Sequence, residues 1–230
     1  MSTNTAPTKD IRINGIILRR TNYGEADRIL NILTTQGKIT AIAKSVRKAK
    51  SKLAGDIEMF SLIDFNIHLG RSEMGVVTGA KMLKYYSEII KDFTKMELAG
   101  TILKKTSNAA ENSDNPEFFN IVEQCLTGLN SSTSIELVES WFLLNLTKAT
   151  GEDINLYRDT TGDKLTINST YSWDVANDSF SKSEHGEYGT DEIKMLRLIM
   201  TTDLKTVQKI KVPTKMYSKL LNLARMATHM

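Results

Sequence analysis

The residues with most chemistry to offer in this chain are cations. Lys44, Arg47, Lys48, Lys50 and Lys52 crowd into residues 44–52, and no Asp or Glu occurs between Asp27 and Asp56. The first 55 residues hold eleven Lys and Arg against three Asp and Glu, a net of +8, whereas the remainder nets −5. The overall charge of +3 therefore hides two oppositely charged parts. Concentrated positive charge attracts polyanions by displacing their counterions, an attraction that weakens as salt rises. Ser45, Ala49 and Ser51 are small residues set between the cations, which lets a phosphate backbone approach closely. The competing reading is a solvated loop, the ordinary role of a charge run. The missing acids and the small spacers favour nucleic acid.

Catalysis has little to work with. The three histidines, His68, His185 and His229, fall on a predicted strand, in a predicted loop and at the tail. Cys125 lies on the apolar stripe of a predicted helix, where a buried, inert thiol is expected rather than a nucleophile. The segment Thr21-Asn22-Tyr23-Gly24-Glu25 has one glycine and no strand–helix context, so it is no phosphate loop. Glu25 and Asp27 have the chemistry of metal ligands but are expected to bridge to arginines such as Arg28. These residues point to binding rather than to an enzyme.

At 230 residues the chain can bury one large core or two small ones. No apolar run approaches the ~20 residues of a membrane span, so no membrane partner is expected. Residues 1–10 are Thr-rich without an apolar centre and read as a disordered lead rather than a signal peptide. A single cysteine excludes an intramolecular disulfide and a thiolate zinc cluster. The expected compartment is the cytoplasm.

The elements that must position the cations follow from periodicity. Ile11, Ile13, Gly15 and Ile17 alternate up to Arg19-Arg20. Ile29, Leu30, Ile32 and Leu33 form a second strand, and residues 39–43 a third after the Gln36-Gly37 turn. Alternation broken by glycine turns marks an antiparallel meander. A fourth strand is predicted from Ile57 through Ile67, and a fifth at residues 75–79 leading into Lys81-Met82-Leu83. Five strands in some seventy residues suit a small Greek-key or OB-type barrel. Beyond Tyr85 the apolar period becomes helical. Asn115 is a predicted cap before Pro116, Thr133 or Ser134 another, and Gly151 a left-handed stop. Residues 151–189 are polar and turn-rich, with short strands expected at Leu165-Thr166-Ile167 and Tyr171-Ser172-Trp173. Thr190 or Asp191 then caps a further helix, and Pro213 opens the last. The predicted fold is α+β and multidomain: a lead over residues 1–10, a barrel over 11–82, and a helical bundle over 83–230 with its irregular insertion at 151–189.

Aromatic residues near cations carry two readings each. Tyr23 sits by Arg19, Arg20 and Arg28, placed either to stack on a base or to pack on the sheet edge. Trp141 and Phe142 fall on a helical stripe and read first as core. Their second reading is one wall of a groove for a partner's hydrophobic tail, with Lys104 and Lys105 complementing an acidic peptide.

The opening stretch as a whole resembles the RecO family of bacterial DNA repair proteins. Four segments carry the likeness in order: Gly15-Ile16-Ile17-Leu18-Arg19, Tyr23-Gly24-Glu25-Ala26-Asp27-Arg28-Ile29-Leu30, Leu33-Thr34 with Gly37-Lys38-Ile39, and Ala43-Lys44-Ser45-Val46-Arg47-Lys48. Ser51-Lys52-Leu53-Ala54-Gly55 and Met59-Phe60-Ser61-Leu62 continue it. It spans about the first eighty residues, and the rest agrees in size and order of elements. The resemblance implies an OB-fold, a helical C-terminal domain and a recombination mediator that anneals complementary strands. It implies single- and double-stranded DNA, RecR and the C-terminal tail of single-stranded DNA-binding protein as partners, RecA indirectly, and association with the nucleoid. The positions that would meet DNA are Arg19, Arg20, Arg28, Lys38, Lys44, Arg47, Lys48, Lys50 and Lys52, with Tyr23 a lesser one.

One departure has a physical consequence. Many members of that family carry a C-x-x-C-G segment and a second cysteine pair in the insertion. Here Arg158-Asp159-Thr160-Thr161-Gly162 keeps the glycine and neither cysteine, and residues 180–188 offer only His185. A tetrahedral structural site needs four such ligands, so no zinc or other cofactor is expected. Leu165, Ile167, Tyr171, Trp173 and Phe180 are expected to pack the insertion instead. Two alternatives stay open: a protein-interaction scaffold whose basic loop only solubilises it, and an RNA-binding OB module.

Overall fold

The computed structural model describes residues 9–72, 74–111, 113–152 and 154–228. The expected lead falls largely outside the described residues, as do Asn112 and His229. Lys9 and Asp10 already belong to the first strand. The chain divides into two compact units, Met1–Leu126 and Thr127–Met230.

Five strands form a closed barrel in the first unit: β1 (Lys9–Tyr23), β2 (Asp27–Thr34), β3 (Gly37–Ala43), β4 (Ser61–Leu69) and β5 (Gly75–Tyr85). Their order is β1-β2-β3-β5-β4, with β4 pairing back onto β1 and the short β3–β5 pairing parallel. Ile13, Ile17, Leu30, Ile32, Ala41, Ala43, Ile63, Phe65, Ile67 and Val77 fill it, as period-two alternation requires of inward positions. Gly15 is needed where β1 crosses β2, because a Cβ there would strike the Ile32 side chain. A register shift between Ile17 and Arg19 then buries Ile16, Ile17 and Leu18 in succession. Arg12 on β1 pairs with Asp64 on β4 and holds that carboxyl below its ordinary range, first through their hydrogen bond.

Two strand boundaries differ from expectation. β4 begins at Ser61 rather than at Ile57, because Phe60 adopts φ 56° and Ser61 Oγ donates to the Glu58 carbonyl, forming a turn. β5 runs on to Tyr85, where a helix was expected to start. The one-turn α1 (Ser87–Ile90) and α2 (Phe93–Ala109) follow, with Asp92 capping the Lys95 N–H at 3.1 Å. α3 (Glu117–Leu129) starts after Pro116, where Asn115 Oδ1 accepts from the Glu117 N–H at 3.0 Å.

The second unit is organised on α4 (Ile135–Ala149), capped by Ser134 and ended before Gly151 at φ 91°. α4 is apolar on nearly every side, which makes it a central helix. The helices α5 (Thr190–Thr201), α6 (Leu204–Val207) and α7 (Thr214–Ala227) complete the bundle. The last carbonyls of a helix lack intrahelical donors, and those at the end of α5 are met from α4. Trp141 Nε1 donates to Thr202, Asn145 Nδ2 to Ile199 and Lys148 Nζ to Met200, at 2.9, 3.1 and 3.1 Å. The cap of α5 is Gly189 rather than Thr190 or Asp191, with Glu192 reaching back to the Gly189 N–H at 3.1 Å.

The insertion folds around β6 (Tyr171–Asp174) and β7 (Ser179–Lys182), with Trp173 opposite Phe180. The Phe180 ring meets Trp173 edge-on at 5.2 Å, and Tyr171 and Tyr188 each at 6.0 Å. Tyr171, Trp173 and Phe180 pack the segment as expected. Leu165 is half-buried and Ile167 is 72% exposed, and Leu165-Thr166-Ile167 is not a strand. Tyr188 takes the place expected of Ile167, and burial pushes its hydroxyl pKa up to about 12. Where the cysteine knuckle would lie, Asp159 Oδ1 accepts the N–H groups of Thr161 and Asp163, both at 3.0 Å. Arg158 Nη1 donates to the Gly162 carbonyl at 2.7 Å.

Candidate nucleic-acid interface

Register alone assembles one end of the barrel. Tyr23 pairs with Asp27 and Asn22 with Arg28 across β1–β2, and Arg28 pairs with Ala43 across β2–β3. The residue after Ala43 is Lys44, so the basic segment leaves β3 beside the β1–β2 turn. It is tied there. Asp27 Oδ1 accepts the Ser45 N–H at 2.6 Å, the Arg47 N–H donates to the Ala26 carbonyl at 2.8 Å, and Arg47 Nη1 donates to Gly24 at 3.2 Å. Ser45 turns the chain at φ 54°, and Val46, 1% exposed, drops into the barrel core. An apolar plug thus sits between outward cations.

Lys44, Arg47, Lys48, Lys50 and Lys52 are exposed, and among the described residues none of them pairs with a carboxylate. Of the acids close to this segment in sequence, Asp27 accepts from Ser45, Asp56 from the Met82 N–H at 3.0 Å, and Glu58 pairs with Arg20 at 2.8 Å. Glu25, exposed in the β1–β2 turn, makes no ion pair among the described residues, so the arginine bridge expected of it is not found. Asp27 makes no bridge to Arg28, whose Nε donates to Asn22 Oδ1 at 3.4 Å; the expected carboxylate–arginine pairing is corrected to a backbone cap. Tyr23, 54% exposed, stands out from the end of β1, which leaves a ring face available for stacking.

Three predicted cations lie differently. Lys38 is at the far end of β3, opposite Leu33, and bridges to Glu111 at 3.4 Å, so it does not join the rim. Arg20 is neutralised by Glu58. Arg19 pairs with Asn31 while its neighbour Arg20 pairs with the core residue Leu30, so Arg19 lies on the outer barrel face. There it lines a cavity of about 450 Å³ with Leu18, Asn31, Met59, the Gly100, Leu103, Lys104, Ser107 and Asn108 face of α2, and Glu111 just past the end of that helix. That face was legible as spacings of three and four along the helix, and sequence reading missed it.

The hydrophobic-tail groove needs correction. Trp141 and Phe142 are 3% and 1% exposed, and the Trp141 N–H is used inside the second unit. Neither ring offers a surface, because α4 is enclosed. Lys104 is exposed and Lys105 half-buried on α2. Cys125 is fully enclosed, and burial drives its thiol well above the ordinary range, which leaves no nucleophile there. Among the described residues no three His, Cys, Asp or Glu are grouped to hold a metal ion. Arg158, a cation bonded to Gly162 at a knuckle ligand position, does not fit a zinc ion. Among the described residues, no helix is long and apolar enough to cross a membrane.

A closed five-stranded barrel followed by helices, with cations at one rim, is an OB-type architecture. The chain belongs to the recombination protein O family: "Recombination protein O N terminal" matches residues 9–86 and "Recombination protein O C terminal" residues 91–228. It is 29% identical over 224 residues to the DNA repair protein RecO of Dehalococcoides mccartyi (strain ATCC BAA-2266 / KCTC 15142 / 195), covering 92% of this chain and 86% of that protein. Identity to the protein of the same name from Alkaliphilus metalliredigens is 26% over 222 residues, 91% and 89% of the two chains. With that from Bifidobacterium longum (strain DJO10A) it is 40% over 101 residues, 43% and 42% of the two. Family membership supports a role in DNA repair and recombination.

Proposed function

We propose that the chain is a recombination mediator acting without covalent chemistry. It binds single- and double-stranded DNA through the rim, anneals complementary strands, and works with RecR to load RecA onto DNA coated by single-stranded DNA-binding protein. The observation that carries this reading is the group Lys44, Arg47, Lys48, Lys50 and Lys52, rooted by Asp27 and Val46 and, among the described residues, in no ion pair with a carboxylate. Two polynucleotides repel one another. Cations held at one rim lower that repulsion, after which base pairing drives annealing. The DNA-binding rim belongs to the domain over residues 11–82; of the helical residues 83–230, α2 packs in one compact unit with the barrel, and the helices from Thr127 onward are assigned to partners. No zinc is required, since side-chain hydrogen bonds and the Phe180 cluster close the insertion.

Annealing of complementary oligonucleotides, followed by fluorescence on naked strands and on strands coated by single-stranded DNA-binding protein, tests the proposal. The chain should accelerate annealing in both, and Lys44→Glu, Arg47→Glu, Lys48→Glu and Lys50→Glu together should abolish the gain. Equal acceleration by that variant, or none by the native chain, would overturn it.

A further inference from the structure

The groove on the outer barrel face has the composition of a binding site that the rim does not explain. Leu18 and Leu103, 5% and 1% exposed, form an apolar floor, with Met59 half-buried beside them. Arg19 and Lys104 stand at its edge, exposed and, among the described residues, without a carboxylate partner. The acid in the lining, Glu111, is occupied by Lys38. Asn31 accepts from Thr40 Oγ1 at 3.4 Å, which uses its carbonyl and leaves both amide hydrogens for a ligand. Gly100 opens the helix wall, since nothing lies within 4 Å of where its Cβ would be. Along β1, Arg19, Thr21 and Tyr23 alternate onto one face, so the strand leads from the groove toward the rim.

We infer that this groove takes a single unpaired base of a DNA strand. The base lies against Leu18, Leu103 and Met59, its polar edge meets Asn31, and the flanking phosphates meet Arg19 and Lys104. The inference rests on the DNA-binding reading and adds what the rim cannot supply, a distinction between single strands and duplex. A base still in its pair has its edge and both faces occupied and cannot enter. Two edge cations with a free amide match a nucleotide's anionic backbone and hydrogen-bonding rim, while the apolar floor matches its ring. An acidic, hydrophobic peptide would use the same groups, its carbonyls accepting from the amide. What favours a nucleotide is that Arg19 shares the outer face of β1 with Thr21 and Tyr23, which lead to the cationic rim.

Gly100→Leu in the full chain tests this, because the new side chain projects into open space and a glycine inside a helix is costly, so the fold should be kept. Affinity is measured by anisotropy for a single-stranded homopolymer, an abasic strand of equal length and a duplex, with Lys44→Glu/Arg47→Glu/Lys48→Glu as a rim control. The inference expects Gly100→Leu to weaken binding of the base-bearing strand about tenfold, the order of one stacking interaction. Abasic strand and duplex should change less than about twofold by the same measure. An unchanged base-bearing strand, or equal weakening on the abasic strand, overturns the inference. So does loss in Gly100→Leu of a labelled Asp- and Phe-rich peptide that the native chain binds, with DNA affinity unchanged. If only the rim control weakens DNA, the groove reading fails and the rim stands. If the rim control weakens nothing, the DNA-binding reading itself fails.

Discussion

The Asp27 carboxylate and the Ser45 amide are 2.6 Å apart, joining the β1–β2 turn to the first turn of the basic segment. This bond lets a run of cations have a shape. Like charges in a free loop would spread, whereas Ser45 at φ 54° and Val46 in the core fix where Lys44 and Arg47 leave the barrel.

Removing the acceptor and removing only the charge should therefore separate stability from DNA affinity. Asp27→Ala is expected to cost about 1 kcal/mol, the worth of one side-chain cap on a backbone amide, and to speed proteolysis within residues 44–52. Asp27→Asn keeps an acceptor and removes an anion from a cationic rim. It should hold most of that stability and bind DNA more tightly at low salt. Urea titration and anisotropy at two salt concentrations check both.

Phe180 is the centre of the insertion's aromatic packing. Three aromatic partners meet its ring edge-on, so Phe180→Ala leaves a cavity and should cost about 3–5 kcal/mol, read from denaturant unfolding. A chelator should leave the melting temperature of the native chain unchanged, and metal analysis should find far less than one equivalent of zinc. Tightly held zinc would mean that the Arg158–Gly162 and Asp159 bonds are not what closes the segment.

Acid should loosen the second unit. Burial raises the Glu192 carboxyl, but hydrogen bonds from Lys219 Nζ at 2.8 Å and from the Gly189 N–H outweigh it, and the net direction is down. Asp159, Asp174 and Asp203 are also lowered, first by side-chain hydrogen bonds from Thr161, Asn177 and Thr206. A carboxyl lowered in the folded state binds fewer protons there than in the unfolded chain. Its stabilisation is complete above the ordinary value, 3.8 for Asp and 4.5 for Glu, and is lost as pH falls through the folded value. The melting temperature should fall below about pH 4.5. Glu192→Gln should lower it at neutral pH and shrink the acid-dependent part.

The meander was readable because inward and outward residues alternate and glycine turns punctuate them, so Ile13, Ile17, Leu30 and Ile32 announce the core. The rim was readable for the same reason, since Lys44 follows a strand. What failed was non-local. Glu58 lies 38 residues from Arg20, and Glu111 lies 73 from Lys38, so no local pattern warned that these two cations were spoken for. Phe60 continued the alternation on paper while its backbone turned left-handed. For Trp141 and Phe142, four consecutive apolar residues, 141–144, were the available sign of an enclosed helix.

Salt dependence tests the rim most directly. Duplex affinity of the native chain and of the Lys44→Ala/Arg47→Ala/Lys48→Ala/Lys50→Ala variant is measured across a salt series, and the slopes of log K against log salt are compared. Each phosphate that the variant no longer neutralises should flatten the slope by about 0.9, so the variant should fall short of native by roughly 2 to 4. Parallel lines of unchanged slope would show that these four cations do not hold the DNA backbone.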